Sequence, residues 1–308
     1  MHLIRSPLRG LLKGDLHRRY LRLAPPLGAK GGHEPMTNRV AVITGATKGI
    51  GHGIAKRLIA AGVDVATIYH HDNEAADRFR KEAEASGGRT IVERLNITDF
   101  SALNRFVSLV LKEFGRVDYL INNVGIDIFK PVHDLTFDEW KVSQDIILNA
   151  PFLLCKSVVP TMRKQGYGRI INIGASSKDY MKGTPGLGAF GVHKGALAIF
   201  TKTLALEEMA NGITVNMVAP GSMRNAGTLP EEKRIPIGSI PLGRRVEIDE
   251  VVEAVMYFLS DHAGSVTGQC IGVNGGHNKA PHLTAIPLRS IALGELRRCR
   301  RLAPPLCR

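Results

Sequence analysis

A short apolar, β-branched run, Val40-Ala41-Val42-Ile43-Thr44, passes directly into Gly45-Ala46-Thr47-Lys48-Gly49-Ile50-Gly51, and an amphipathic stretch from Ile50 to Ala61 follows and closes at Gly62. Strand, glycine-rich turn and helix in that order leave few folds open. Gly45 permits the tight turn, Gly49 lets backbone approach a phosphate, and Gly51 lets the helix sit close on the strand; Thr47, Lys48 and Ile50 fill the remaining turn positions. A pyrophosphate placed there meets the free N–H groups and the positive dipole end of a helix. A glycine-rich turn alone is weak, but this one heads a strand–helix–strand unit, which strengthens it.

The same alternation continues. Strands are expected at Val65 to Tyr69, Thr90 to Glu93, Asp118 to Ile121, Arg169 to Ile173, Thr214 to Ala219 and Cys270 to Val273. Helical patterns lie between them at Asn73 to Ala85 and around 101–114, 137–165, 190–210 and 248–260. Several strands are apolar on both faces, which argues for an α/β fold with a parallel sheet covered on both sides. Right-handed crossovers then make it a doubly wound sheet of the Rossmann type. No linker interrupts 37–277, so this stretch is expected to be one domain.

Charge sharpens that boundary. The 308 residues carry 41 Lys plus Arg against 28 Asp plus Glu, a formal charge of +13. Residues 1–36 hold seven basic and two acidic side chains, and residues 278–308 hold seven and one. The body keeps 27 basic and 25 acidic residues, so the basic surplus belongs to the ends and no nucleic-acid partner is expected for the folded domain. The ends also resemble each other: Arg18-Arg19-Tyr20-Leu21-Arg22-Leu23-Ala24-Pro25-Pro26-Leu27 matches Arg297-Arg298-Cys299-Arg300-Arg301-Leu302-Ala303-Pro304-Pro305-Leu306. Both ends are expected to be poorly ordered extensions. Ile4, Leu8, Leu12, Leu16 and Tyr20 also permit a basic amphipathic helix of transit-peptide type, against which Gly10 and Gly14 count. Cytoplasmic location is the expectation, with organelle targeting through residues 1–36 as its alternative. No apolar run approaches the ~18 residues of a bilayer span. The four cysteines are scattered, with neither a disulfide framework nor a metal-ligand spacing.

The glycine spacing is TGxxxGxG, and with Asn96-Ile97-Thr98-Asp99, Asn122-Asn123-Val124-Gly125, Pro220-Gly221, Gly268-Gln269 and Gly275-Gly276 the stretch 37–277 resembles the short-chain dehydrogenases/reductases. It is most similar to the 3-oxoacyl-carrier-protein and acetoacetyl-CoA reductases. The resemblance implies that Asn96 and Ile97 border an adenine, Asn123 the adenosine ribose, and Lys194 the nicotinamide ribose. It places Gly221 to Met223 along the nicotinamide and counts Gly125 and Pro220 among the cofactor-binding residues. The second strand ends Ile68-Tyr69-His70-His71, with no acidic residue before Asp72 to grip a ribose 2′-hydroxyl. Lys48 and His70 could neutralise a 2′-phosphate, so NADP(H) is expected in preference to NAD(H).

The catalytic positions depart from the family. There a Tyr and a Lys four residues apart share one helix face, the Tyr passing a proton to substrate oxygen. Here Lys194 is present but the Tyr position is Phe190, and the family's relay Asn falls on Ile147. The substrate-orienting Ser falls on Ala175 counted from Arg169, or on Ser177 counted back from Phe190, with Ser176 between. Tyr180, Ser176, Ser177, His193 and Lys194 are the candidates for a displaced acid. Two functions remain open: an NADP(H)-dependent reductase or dehydrogenase of a carbonyl or 3-oxoacyl thioester substrate, or a dinucleotide-binding module that has lost turnover. The family assembles as homodimers or homotetramers through the helices around 145–165 and 190–210, and residues 226–240 resemble its mobile substrate loop.

Overall fold

A computed structural model describes residues 36–175, 185–224 and 236–277. The two basic extensions, Ser176, Ser177, Tyr180 and most of the 226–240 loop lie outside the described residues. Seven strands form one sheet: β1 (Val40–Thr44), β2 (Asp64–Tyr69), β3 (Thr90–Arg94), β4 (Tyr119–Asn122), β5 (Gly168–Ile173), β6 (Ile213–Pro220) and β7 (Cys270–Val273). Their spatial order is β3-β2-β1-β4-β5-β6-β7, and each neighbouring pair is parallel. Every residue of β1, β4 and β5 is buried, because alternate side chains serve opposite layers.

The helices are α1 (Gly49–Ala60), α2 (Asn73–Ala85), α3 (Phe100–Phe114), α4 (Phe137–Gln144), α5 (Ala150–Gln165), α6 (Gly188–Glu208) and α7 (Ile248–Leu259). On one face Ala41, Ile43, Tyr119, Ile121 and Ile171 meet Ile54 and Leu58 of α1 and Val251, Val255 and Phe258 of α7. On the other, Val40, Val42, Leu120 and Ile170 meet Phe106 and Val110 of α3 and Leu154 and Val158 of α5. Full burial of one such side chain contributes about 1.5–3 kcal/mol. Local chemistry agrees with this layering: Asp72 and Asp99 accept N–H bonds from Ala75 and Ala102 at 2.9 Å, capping α2 and α3, and Thr136 with Glu139 forms a capping box on α4.

The long pattern at 137–165 is not one regular helix. A π turn at Asp145–Asn149 joins α4 to α5. Pro151 has no N–H to give the Ile147 carbonyl, and the Ala150 N–H reaches back to the Asp145 carbonyl. By length and mean hydropathy (1.2) the segment Phe137–Gln165 could cross a membrane, but it serves as a core helix, burying Ile147, Leu154, Val158 and Met162.

Between β1 and β4 the order of connection reverses. Such a switch point opens a crevice beyond the carboxyl ends of the strands, and there the candidate site lies.

Candidate active site and cofactor cleft

The turn after β1 is held by its neighbours. Gly45 N–H donates to the Ile68 carbonyl at 3.0 Å, and Ala46 N–H donates to Thr67 Oγ1 at 3.0 Å. Thr44 Oγ1 accepts from the Asn123 and Val124 N–H groups at 2.9 and 3.1 Å. The Asn123 amide returns bonds to the Thr44 and Gly45 carbonyls at 2.9 and 3.2 Å. Asn123 therefore locks the turn to the end of β4 as well as lining the cleft. Gly45 takes a φ of +71°, open to glycine at little cost. A Cβ on Gly51 would lie 2.3 Å from the Gly45 carbonyl oxygen, so only glycine lets α1 start this close.

The start of α1 fits an anion. Unlike α2, α3, α4 and α7 it has no side-chain cap, and no acidic residue stands in its first turn. Its first amides therefore have no capping side chain, and an anion placed there would be stabilised by them. Gly49, Ile50 and Gly51 form this helix start. In front of it is a cleft of about 390 Å³. Gly45, Thr47 and Lys48 wall it from the turn, His70 from the end of β2, Asn96 and Ile97 after β3, and Asn123 and Gly125 after β4. His71, Asp72 and Ile146 line it too, and sequence reading gave them no role. Pro220, Gly221 and Met223 stand apart from these walls at the end of β6, where the Gly221 N–H bonds the Val273 carbonyl at 2.8 Å and Met223 pairs with Val246.

Lys194 sits beyond Gly125, whose position a Cβ would place 3.6 Å from Lys194 Nζ. The ammonium is buried, donates to the Ile173 carbonyl at 2.5 Å and stands 5.9 Å from the centre of the Phe190 ring. Burial pulls its pKa down from 10.5 to about 8, and attraction to Asp127 resists. Asp127 is the residue that sequence reasoning missed: although exposed as a residue, its carboxyl is pushed up by partial desolvation and pulled back by Lys194. No motif marks it; only the fold brings the loop after β4 to α6.

Because the folded-state pKa is depressed, burying the charged amine costs stability below about pH 8, and the cost fades as pH rises from 8 to 10.5. Lys194→Met is therefore expected to raise stability at pH 7 by about 2 kcal/mol, that is ~3 from the shift less ~1 for the lost hydrogen bond. The gain should shrink by pH 10. Urea unfolding at both values checks it; equal stability of the two proteins throughout would deny the burial cost.

The two positions expected from the resemblance to hold the rest of a relay, Ile147 and Phe190, lie in apolar surroundings. Ile147 is wholly buried in a cluster with Leu197, Ala198 and Met217, against which Phe190 packs. Asn149 is engaged elsewhere, donating to Asp145 at 2.7 Å. His193 turns away from Lys194: its Nδ1 lies 3.0 Å from Ser143 Oγ and its ring meets Trp140 edge-on at 4.6 Å. Burial pushes its pKa down. Among the described residues no group of three His, Cys, Asp or Glu side chains could hold a metal.

A family model described as enoyl-(acyl carrier protein) reductase matches residues 45–278. The chain is 35% identical over 242 residues to a 3-oxoacyl-[acyl-carrier-protein] reductase of Synechocystis sp., covering 78% of this chain and 97% of that protein. It is 36% identical over 245 residues to an acetoacetyl-CoA reductase of Shinella zoogloeoides, covering 78% and 98%. Among solved structures, a blue fluorescent protein from a metagenomic library, in complex with NADPH, superposes with a TM-score of 0.74 at 29% identity, covering 80% of this chain and all of that one. With the glycine turn, the switch-point cleft and Lys194 arranged as described, this chain belongs to the short-chain dehydrogenase/reductase family.

Proposed function

We propose that this protein binds NADP(H) and interconverts a carbonyl, of 3-oxoacyl thioester type, with its alcohol. The observation that carries the reading is the cradle: Gly51 against Gly45, locked by Asn123, in front of an uncapped helix start. When bound, the dinucleotide supplies the hydride. The chain must supply the proton that the substrate oxygen takes up in reduction. With phenyl at 190, the Lys194 ammonium beside Gly125 is the described group suited to it, protonated below about pH 8. Tyr180, Ser176 and Ser177, outside the described residues, remain candidates.

Titration with NADPH and assay with acetoacetyl-CoA test this. Binding in the micromolar range, with reduction that falls as pH rises through 8, is expected; failure of both dinucleotides to bind would remove the reading at its root. The specific observation favouring a second reading is the apolar cluster of Ile147 and Phe190. It supports a dinucleotide-binding module without turnover, for which binding persists and every carbonyl tested is inert.

The same reading makes the protein a homodimer or homotetramer through α5 and α6, which expose Phe152, Ile199 and Leu206. A monomer in sedimentation at micromolar concentration would discard this part.

A further inference from the structure

Where β2 ends, the cleft wall is a run of three titratable side chains, His70, His71 and Asp72, facing Lys48 of the glycine turn. Among the described residues these four and the Tyr69 phenol are the charged or titratable groups lining the cleft. The imidazoles of His70 and His71 lie centre to centre at 3.6 Å, inclined by 44°, and both residues are exposed. We propose that His70 and His71, with Lys48, form a proton-linked site for a nucleotide 2′-phosphate, the protein taking up a proton when that phosphate binds. The proposal rests on the NADP(H) reading and extends it to His71 and to regulation by pH.

A second imidazole this close opposes protonation of His70 while no anion is present. Partial desolvation, His71 and Arg94 together hold His70 below the usual histidine range. Arg94 comes from β3, and its Nε donates to the His70 carbonyl at 3.1 Å. On the α2 side Arg80 lies over Tyr69 and bonds Asp77, while Glu74 is 3.8 Å from Arg78. Asp72 is the one carboxylate on the wall. Its Oδ1 caps α2 through the Ala75 N–H and its Oδ2 lies 3.7 Å from Lys48 Nζ, so its charge is already partnered. A phosphate near the pair reverses the balance, since an opposite charge favours the imidazolium. Proton uptake on binding means affinity that strengthens as pH falls.

The phosphate itself complicates a simple pH series, because its second ionisation lies at about pH 6. Its sign, however, is opposite: a basic site drives protons off the phosphate, whereas the histidines draw them on. Calorimetric titration of the full-length protein with NADP⁺ and with NAD⁺ at pH 7, in two buffers of different ionisation heat, counts protons directly. The expected result is net uptake with NADP⁺ and none with NAD⁺. The NADP⁺/NAD⁺ affinity ratio should fall by about tenfold between pH 6 and 8. His70→Gln/His71→Gln should abolish the uptake and flatten the ratio, and His71→Gln alone should reduce it. Both side chains are exposed, so the variants should fold. Tight NADP⁺ binding without uptake, or with uptake that survives the double variant, overturns this proposal while leaving the NADP(H) reading intact. A preference for NAD⁺, with Asp72 gripping the 2′-hydroxyl, overturns the preference and the proposal together. Binding of neither dinucleotide overturns the functional reading as well.

Discussion

Gly51→Val is expected to abolish dinucleotide binding, a loss of at least about 100-fold, and to destabilise the fold by about 3 kcal/mol. The Cβ alone would stand 2.3 Å from the Gly45 carbonyl oxygen and 2.7 Å from the Asn123 amide nitrogen. The first of these atoms is backbone, and the second is tied into the same turn by two hydrogen bonds. Neither can rotate away, so α1 must back off and the phosphate turn must open. The effect on binding should exceed the effect on stability, because the core of α1 at Ile54 and Leu58 lies further along the helix. Gly191→Ala is the control for stability: nothing lies within 4 Å of its Cβ position in α6, and Ala should gain up to about 1 kcal/mol there. Calorimetry and thermal unfolding on the two variants check this. Unaltered nucleotide affinity in Gly51→Val would mean the phosphates are held elsewhere.

Restoring the family's relay should produce the other large change. Phe190→Tyr puts an exchangeable proton on the ring that now stands 5.9 Å from Lys194 Nζ, next to the ammonium that lowers a phenol's pKa. General acid catalysis is worth about 10²–10⁴-fold, so a comparable gain in kcat for a ketone or 3-oxoacyl thioester is expected. Ile147→Asn adds the amide of the relay at a position with no solvent exposure. An amide left unpaired there costs about 1–3 kcal/mol, so Phe190→Tyr is measured alone first and the double variant second. A gain of this size from near-zero activity supports a lapsed enzyme. Little change in an already active protein means the proton comes from Lys194 or from a side chain among residues 176–184. Activity lost on Phe190→Tyr would contradict both.

Much of the architecture was readable because it is local. The β1 run, the helix at Asn73–Ala85 and the strand Cys270–Val273 are found with the bounds expected, and the other strands differ by one residue at one or both ends. Periodicity and caps carry that information within a few residues of chain. The π turn at Asp145–Asn149 was not legible as such, since its apolar pattern passes for ordinary helix until Pro151 is seen to withhold its N–H. At the site, the glycine turn could be read because each glycine answers a backbone demand within one turn. The partner that staples it, Asn123, is 79 residues from Thr44 and was assigned only to ribose.

By itself the chain's order of residues determined the doubly wound class, the glycine turn between β1 and α1, and the phenylalanine four residues before Lys194, because each depends on neighbours along the backbone. Only the tertiary structure decided that His193 turns to Ser143 and Trp140, that Ile147 and Phe190 close one apolar cluster, and that Asp127 acts on a buried Lys194. It also brought His71 and Asp72 opposite Lys48. Charge–charge coupling and burial depend on distance through space, and residues far apart along the chain become near neighbours only once the sheet and its helices are assembled.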